Sequence, residues 1–188
     1  MRDAELETLR EEMERANLPL KSTATNLVFY RGTPQADIFI VGEAPGKTED
    51  EEGKPFLGRA GTILDKALEK AKLQDSIYIS NIVCYRPPQN RAPRVKEMEA
   101  HGVYLLRQIK IVQPKVVIPL GNTATKYLVS WLKDIKKSEV KPITQLRGKP
   151  LETTPILLPT FHPAATLYDN SKRPVFYEDI ERAKHLLK

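Results

Sequence analysis

Four short apolar runs, separated by amphipathic stretches, constrain this chain more than any other feature. They are Asp37–Val41 (DIFIV), Ile77–Val83 (IYISNIV), Lys115–Leu120 (KVVIPL) and Ile156–Leu158, which leads to Phe161. The first three are rich in β-branched residues, and such runs suit strands buried on both faces. Between them, residues 59–72, 94–112 and 121–132 carry apolar side chains at helical spacing. Strands alternating with helices predict parallel βαβ units and a doubly wound α/β sheet. Residues 3–16 and 176–187 read as surface helices, and the polar, basic stretch 133–154 as a loop or an irregular β excursion. With 188 residues, no repeat and no long linker, a single domain over residues 1–188 is expected.

Composition narrows the class. Hydrophobic residues at 40% and charged residues at 29% supply a real core and exclude a disordered chain. No apolar run approaches the roughly 18 residues of a membrane helix. The opening MRDAELETLREEMER lacks the apolar stretch of a signal peptide, so a cytoplasmic protein, without membrane partners, is expected. The one cysteine, Cys84, cannot form an internal disulfide and cannot alone hold a metal or an iron–sulfur cluster. Residues 1–100 hold 15 basic and 17 acidic side chains, a net of −2; residues 101–188 hold 15 and 7, a net of +8. A basic half suits a polyanion, because Lys and Arg that neutralise phosphates release counterions. A merely soluble surface is the other reading.

In a doubly wound sheet a ligand sits outside the carboxyl ends of the strands, so the loops there carry the chemistry. After the first run comes Gly42-Glu43-Ala44-Pro45-Gly46, a tight, rigid turn. It lacks the Gly-Lys-Ser/Thr ending of a Walker loop and the GxGxxG fingerprint, and its acidic continuation would repel phosphates. Glu43 there suits acid–base work or the steadying of a positive transition state; a solvated turn glutamate is the alternative. In Lys54-Pro55-Phe56-Leu57-Gly58-Arg59-Ala60-Gly61, Phe56 sits on a Gly/Pro-framed loop, placed either to stack on a flat base or to plug the sheet edge. Asn81 ends the second strand; its carboxamide can read a donor and an acceptor on one pyrimidine edge, or simply cap a buried turn. Three prolines stiffen the loop that carries Arg86, Arg91 and Arg94, which suits phosphate contact. At the end of the fourth run, Pro163 fixes the turn holding His162. An imidazole there can hydrogen-bond a leaving group as negative charge develops, although a lone histidine is more often structural. Thr166, Leu167 and Tyr168 form a small apolar tip able to enter a base stack. His101 and His185 have no comparable setting and are expected on the surface.

Taken in order, GEAPG…EDEEGKPFLGRAG, SNIVCYRPPQNRAP…KEME and FHPAA strongly resemble the family 4 uracil-DNA glycosylases, over about residues 20–187. The resemblance implies a three-layer α/β/α fold around a central four-stranded parallel sheet, and a monomer that cleaves the N-glycosidic bond of uracil in DNA. By motif position Glu43 resembles the carboxylate that positions water, and His162 the donor to uracil O2. Phe56 resembles the ring stacked on the flipped base and Asn81 the amide reading its edge, with Ala44, Glu49 and Asn90 beside them. Arg86, Arg91, Arg94, Thr166 and Leu167 would meet DNA. No lysine occupies these motif cores as a Schiff-base nucleophile, so the implied product is an abasic site.

One departure is large. The family usually holds a four-iron cluster on four cysteines, whose positions fall near Arg15, Leu18, Tyr85 and His101. All four ligands are missing together, so no cluster and no metal is expected, with Leu18 and Tyr85 packing instead. The final motif reads HPAATLY, without the arginine often found at its end. A non-catalytic module that only binds DNA or damaged bases is the competing reading, but Glu43, Asn81 and His162 all persist. An α/β nucleotide-binding protein is disfavoured by the acidic first loop.

Overall fold

The computed structural model describes residues 1–187. Its strands are β1 (Arg31–Gly32), β2 (Ile38–Gly42), β3 (Ile77–Asn81), β4 (Val116–Pro119) and β5 (Ile156–Leu157). They form one sheet in the order β1-β3-β2-β4-β5. The four apolar runs supply β2 to β5, all parallel, as expected; the two-residue β1 adds an antiparallel edge on β3. Every residue of β2, β3 and β4 is buried, because helices cover both faces.

The helices are α1 (Arg2–Arg15), α2 (Lys47–Glu52), α3 (Arg59–Ala71), α4 (Val95–Val112), α5 (Gly121–Leu132), α6 (Ile143–Leu146), α7 (Ala165–Tyr168) and α8 (Lys172–His185). The two-residue period of a strand sorts β2 between two cores. Phe39 and Val41 join Leu6, Met13, Leu105 and Leu128 of α1, α4 and α5, whereas Ile38 and Ile40 join Leu64, Leu68, Phe176 and Ile180 of α3 and α8. This is the three-layer α/β/α arrangement.

Register decides where the loops meet. Gly42 pairs with Asn81, Val41 with Pro119, and Leu120 bridges Thr160. The strands therefore end level with one another. The chain leaves β2 toward β3 on one side and returns to β4 on the other, so a topological switch point, where such folds open a crevice, lies at the end of β2.

Three expectations need correction. Residues 133–154 are not wholly irregular: they hold a 3-10 turn, α6 and an antiparallel bridge from Leu151 to Leu157. The last helix starts earlier, at Lys172. His101 is not on the surface: it is fully buried on α4. Burial alone exacts a desolvation cost, and two hydrogen bonds offset it. Nδ1 accepts from the Cys84 backbone N–H (3.4 Å) and Nε2 lies 3.0 Å from the Pro19 carbonyl, to which it donates. No helix is long and apolar enough to cross a membrane.

Candidate active site

At the level strand ends lies a cleft of about 680 Å³. It brings together Glu43, Phe56, Asn81 and His162, residues far apart in the chain, and Ala44, Glu49, Asn90 and Arg91 line it as well. Each side chain arrives there for a local reason.

Glu43 follows β2 directly and is half-buried. Gly42 beside it must lack a side chain, since a Cβ would stand 2.6 Å from the Phe56 ring and run into the Asn81 carboxamide. That close approach packs amide and ring against the backbone floor. Phe56 itself is 6% exposed and holds a left-handed φ of 57°. Such a φ is uncommon outside glycine and is retained only where surroundings over-determine it.

Glu49 is the main cause. One carboxylate oxygen accepts the Gly46 N–H (3.1 Å); the other accepts the N–H groups of Leu57 (3.0 Å) and Gly58 (2.8 Å). A single side chain thus ties the Glu43 turn to the Phe56 loop. Gly61 completes the fixation, because any Cβ there would collide with the Phe56 carbonyl. From the other side, Asp50 accepts the backbone N–H groups of Thr25 and Asn26 (2.9 and 3.2 Å), anchoring α2.

Asn81 closes β3 and is 2% exposed, yet among the described residues its carboxamide meets no hydrogen-bond partner within the protein. It faces the cleft. His162 stands across from Phe56, ring centroids 5.7 Å apart and 33° from coplanar. Loss of water around the imidazole pushes its pKa down to about 4, so the ring is neutral at physiological pH. Its Nδ1 accepts the Ala164 N–H at 3.2 Å. In a neutral ring the hydrogen then belongs to Nε2, which becomes a donor with no protein acceptor.

The arginine loop behaves differently. Arg91 grips Glu97 with both arms of its guanidinium (2.8 and 2.6 Å), and the Arg94 backbone N–H donates to the same carboxylate (2.7 Å). These bonds hold the Glu97 carboxyl down to about 2 and clamp the loop to α4. Arg91 therefore reaches the cleft with its charge already paired. Arg86 donates to the Asn90 side chain (2.7 Å), and neither Arg86 nor Arg94 lines the cleft.

The tip after His162 departs from the sequence reading. Thr166 is fully buried, its hydroxyl donating to the Pro163 carbonyl at 2.8 Å, so it is an anchor of the turn and is unable to enter a base stack. Leu167 is half-buried between α3 and α8. Tyr168, 91% exposed, stands at the cleft mouth. Sequence reasoning missed Lys47 and Arg59, which also line the cleft. A cation opening the helix right after the Phe56 loop was the available signal for Arg59.

Among the described residues no group of three or more His, Cys, Asp or Glu side chains can hold a metal ion. The four positions that would carry a cluster do not fit one. Arg15 points outward to Glu11, Leu18 and Tyr85 are buried in the core, and both His101 nitrogens are spent. Cys84 is buried, and desolvation pushes its thiol up to about 12, far from the thiolate an iron ligand requires.

Comparison with known proteins agrees with this geometry. The profile of the uracil DNA glycosylase superfamily matches residues 29–184. A type-4 uracil-DNA glycosylase of Sulfurisphaera tokodaii is 41% identical over 169 residues, covering 86% of this chain and 75% of that relative. Its counterpart in Thermotoga maritima is 41% identical over 174 residues (90% and 88%), and that of Archaeoglobus fulgidus is 35% identical over 184 residues (95% and 90%). With a match across most of its length, and with the motif residues gathered at one rim of the expected sheet, the chain belongs to the uracil-DNA glycosylase superfamily and groups with its type-4 members.

Proposed function

We propose that this protein is a monofunctional uracil-DNA glycosylase: it extrudes uracil from DNA and hydrolyses the bond between uracil N1 and the sugar C1′, leaving an abasic site. The observation that carries this reading is the pairing of two groups that line one cleft without a protein partner, the Asn81 carboxamide and the His162 Nε2–H, beside a fixed aromatic ring. An extruded base stacks on Phe56. Asn81 accepts from uracil N3–H and donates to O4, a pattern that cytosine reverses. As the N1–C1′ bond stretches, electrons move into the pyrimidine and charge collects at O2, where the neutral His162 donor meets it. A preorganised donor of this kind contributes about 3–4 kcal/mol to a transition state.

Glu43 stabilises the positive sugar and orients the attacking water. The water oxygen bonds to C1′ as the N1–C1′ bond breaks, one water proton passes to the Glu43 carboxylate, and uracil leaves as the anion. Glu49 works one step back, holding the Glu43 turn and the Phe56 loop together. The exposed Lys47 and Arg59 suit phosphates at the rim, and Tyr168, rather than Thr166, is the side chain placed to enter the base stack.

The chain is further proposed to act without the family's iron–sulfur cluster, as a cytoplasmic monomer. Its donor set supports the cluster-free reading, since the cluster positions hold two core residues, an exposed arginine and a fully bonded histidine. Incubation with uracil-containing single- and double-stranded oligonucleotides, followed by alkali, tests the activity: strand scission at uracil is expected. Tight binding without scission would instead leave a DNA-binding module. The purified protein is expected to be colourless; a brown preparation with bound iron would overturn the cluster-free reading.

A further inference from the structure

Beside the cleft, between α3 and α8, lies a second depression of about 300 Å³. Arg59, Lys66 and Arg173 line it, together with Leu167 and Tyr177, and no carboxylate does. Arg59 lines the catalytic cleft as well, so the two hollows share a wall. Positions 59, 66 and 70 fall on one face of α3, and Lys70 completes the row, its ammonium 5.7 Å from the centre of the Tyr177 ring. From residue 59 to residue 70 a helix rises about 16 Å. That distance equals about five base-pair steps of B-form DNA measured along the duplex axis.

The state of these cations is as informative as their position. Among the described residues Arg59, Lys66, Lys70 and Arg173 form no ion pair, whereas Arg91 is paired with Glu97. Arg173 spends one amino group on the Asn170 side chain (3.2 Å), but its Nε is buried without any acceptor. An unsatisfied buried N–H costs free energy, and it leaves the Arg173 guanidinium with unused donor capacity beside the groove. Of the arginines that the sequence made conspicuous, Arg91 is ion-paired and Arg86 is bonded to Asn90.

We propose that the groove between α3 and α8 is a phosphodiester subsite that holds the DNA strand on one side of the extruded nucleotide. Arg59 passes the backbone from the cleft to Lys66 and Arg173. This rests on the reading of the cleft as a uracil site and adds the path of the strand.

The test compares wild type with the Lys66→Gln/Arg173→Gln double variant. Fluorescence anisotropy measures binding to a single-stranded oligonucleotide carrying one 2′-fluorinated deoxyuridine, which resists cleavage. The variant is expected to bind roughly tenfold more weakly, with a log K against log salt slope shallower by about 1.5. Trimming the strand on one side of the uracil is expected to abolish the difference, and trimming the other side to preserve it. Equal affinities and salt slopes, or a difference that survives both trims, would overturn the subsite. Should the double variant misfold, Lys66→Glu alters only an exposed side chain and is expected to show the same one-sided loss. Wild-type excision of the unfluorinated oligonucleotide is measured in parallel; its failure would sink the parent reading rather than the groove.

Discussion

Two histidines occupy two corners of this molecule, and burial lowers the pKa of both, yet they are used in opposite ways. His101 has nothing left to offer. Its Nε2 donates to Pro19, its Nδ1 accepts from Cys84, and Tyr85 packs edge-on at 5.8 Å. His162 has one nitrogen fixed by Ala164 and the other open to a cleft. Where hydrogen-bonding capacity is exhausted, the residue holds the fold; where it is left over beside an unsatisfied carboxamide, the residue binds something. In this chain the corner around His101 is also where relatives of the family would anchor a cluster. There the N-terminal segment is joined to the Cys84 loop by two hydrogen bonds and apolar packing, with the Val28 N–H donating to the Cys84 carbonyl (2.9 Å) as a further tie.

The contrast can be broken most directly at the cleft. His162→Ala and Asn81→Ala are each expected to reduce single-turnover uracil excision by about 10²- to 10³-fold, with melting temperatures near that of wild type. Rates within a few-fold of wild type would remove either residue from the site. The opposite pattern is expected at the other corner. His101→Ala strands the Pro19 carbonyl and the Cys84 N–H in the interior and opens a cavity. That is expected to cost about 3 kcal/mol, or on the order of 10 °C in Tm. A thermal melt checks it, and an unchanged Tm would show that the bridge contributes nothing.

The smallest effect is one of pH. Above the unfolded pKa of about 6.5, His162 is neutral in both folded and unfolded chains, so its titration adds no pH dependence. As pH falls from there toward the folded value of about 4, the unfolded chain takes up a proton that the native cleft refuses, and stability is lost. His101, lowered by burial, acts in the same direction. Excision by the folded enzyme should hold its rate between about pH 8 and pH 5, because the imidazole, with a pKa of about 4, keeps one protonation state and the same Nε2–H donor over that range. A pH–rate profile with an acid limb near 6.5 assigned to His162 would contradict the desolvated, neutral imidazole.

How legible this was in the sequence varied with the kind of signal. β2, β3 and β4 were plain because both-face burial demands continuous apolar runs, and α5 starts and ends where its pattern does. The edge strand β1 was invisible: two residues, Arg31 and Gly32, carry no periodicity. Glu43, Asn81 and His162 stood out because each sits at or just past the expected end of a strand, where chain order already implies place. Glu49 read as a base-side residue, but its carboxylate is used up by three backbone N–H groups. Arg91 looked free because nothing in the spacing shows that Glu97, six residues on, turns back to pair with it. Thr166 looked exposed because a short helical turn buries one side chain and presents another, and sequence spacing over four residues does not say which.

The sequence alone determined the layered α/β fold, the family likeness and the short set of polar residues at the strand ends, since these depend on local pattern and motif order. Tertiary structure decided which of those residues remain unsatisfied. Hydrogen bonding is settled by atoms brought together across the chain: it consumed both nitrogens of His101 and the charge of Arg91, and left the Asn81 amide, one face of His162 and the cations beside α8 with bonds still to make.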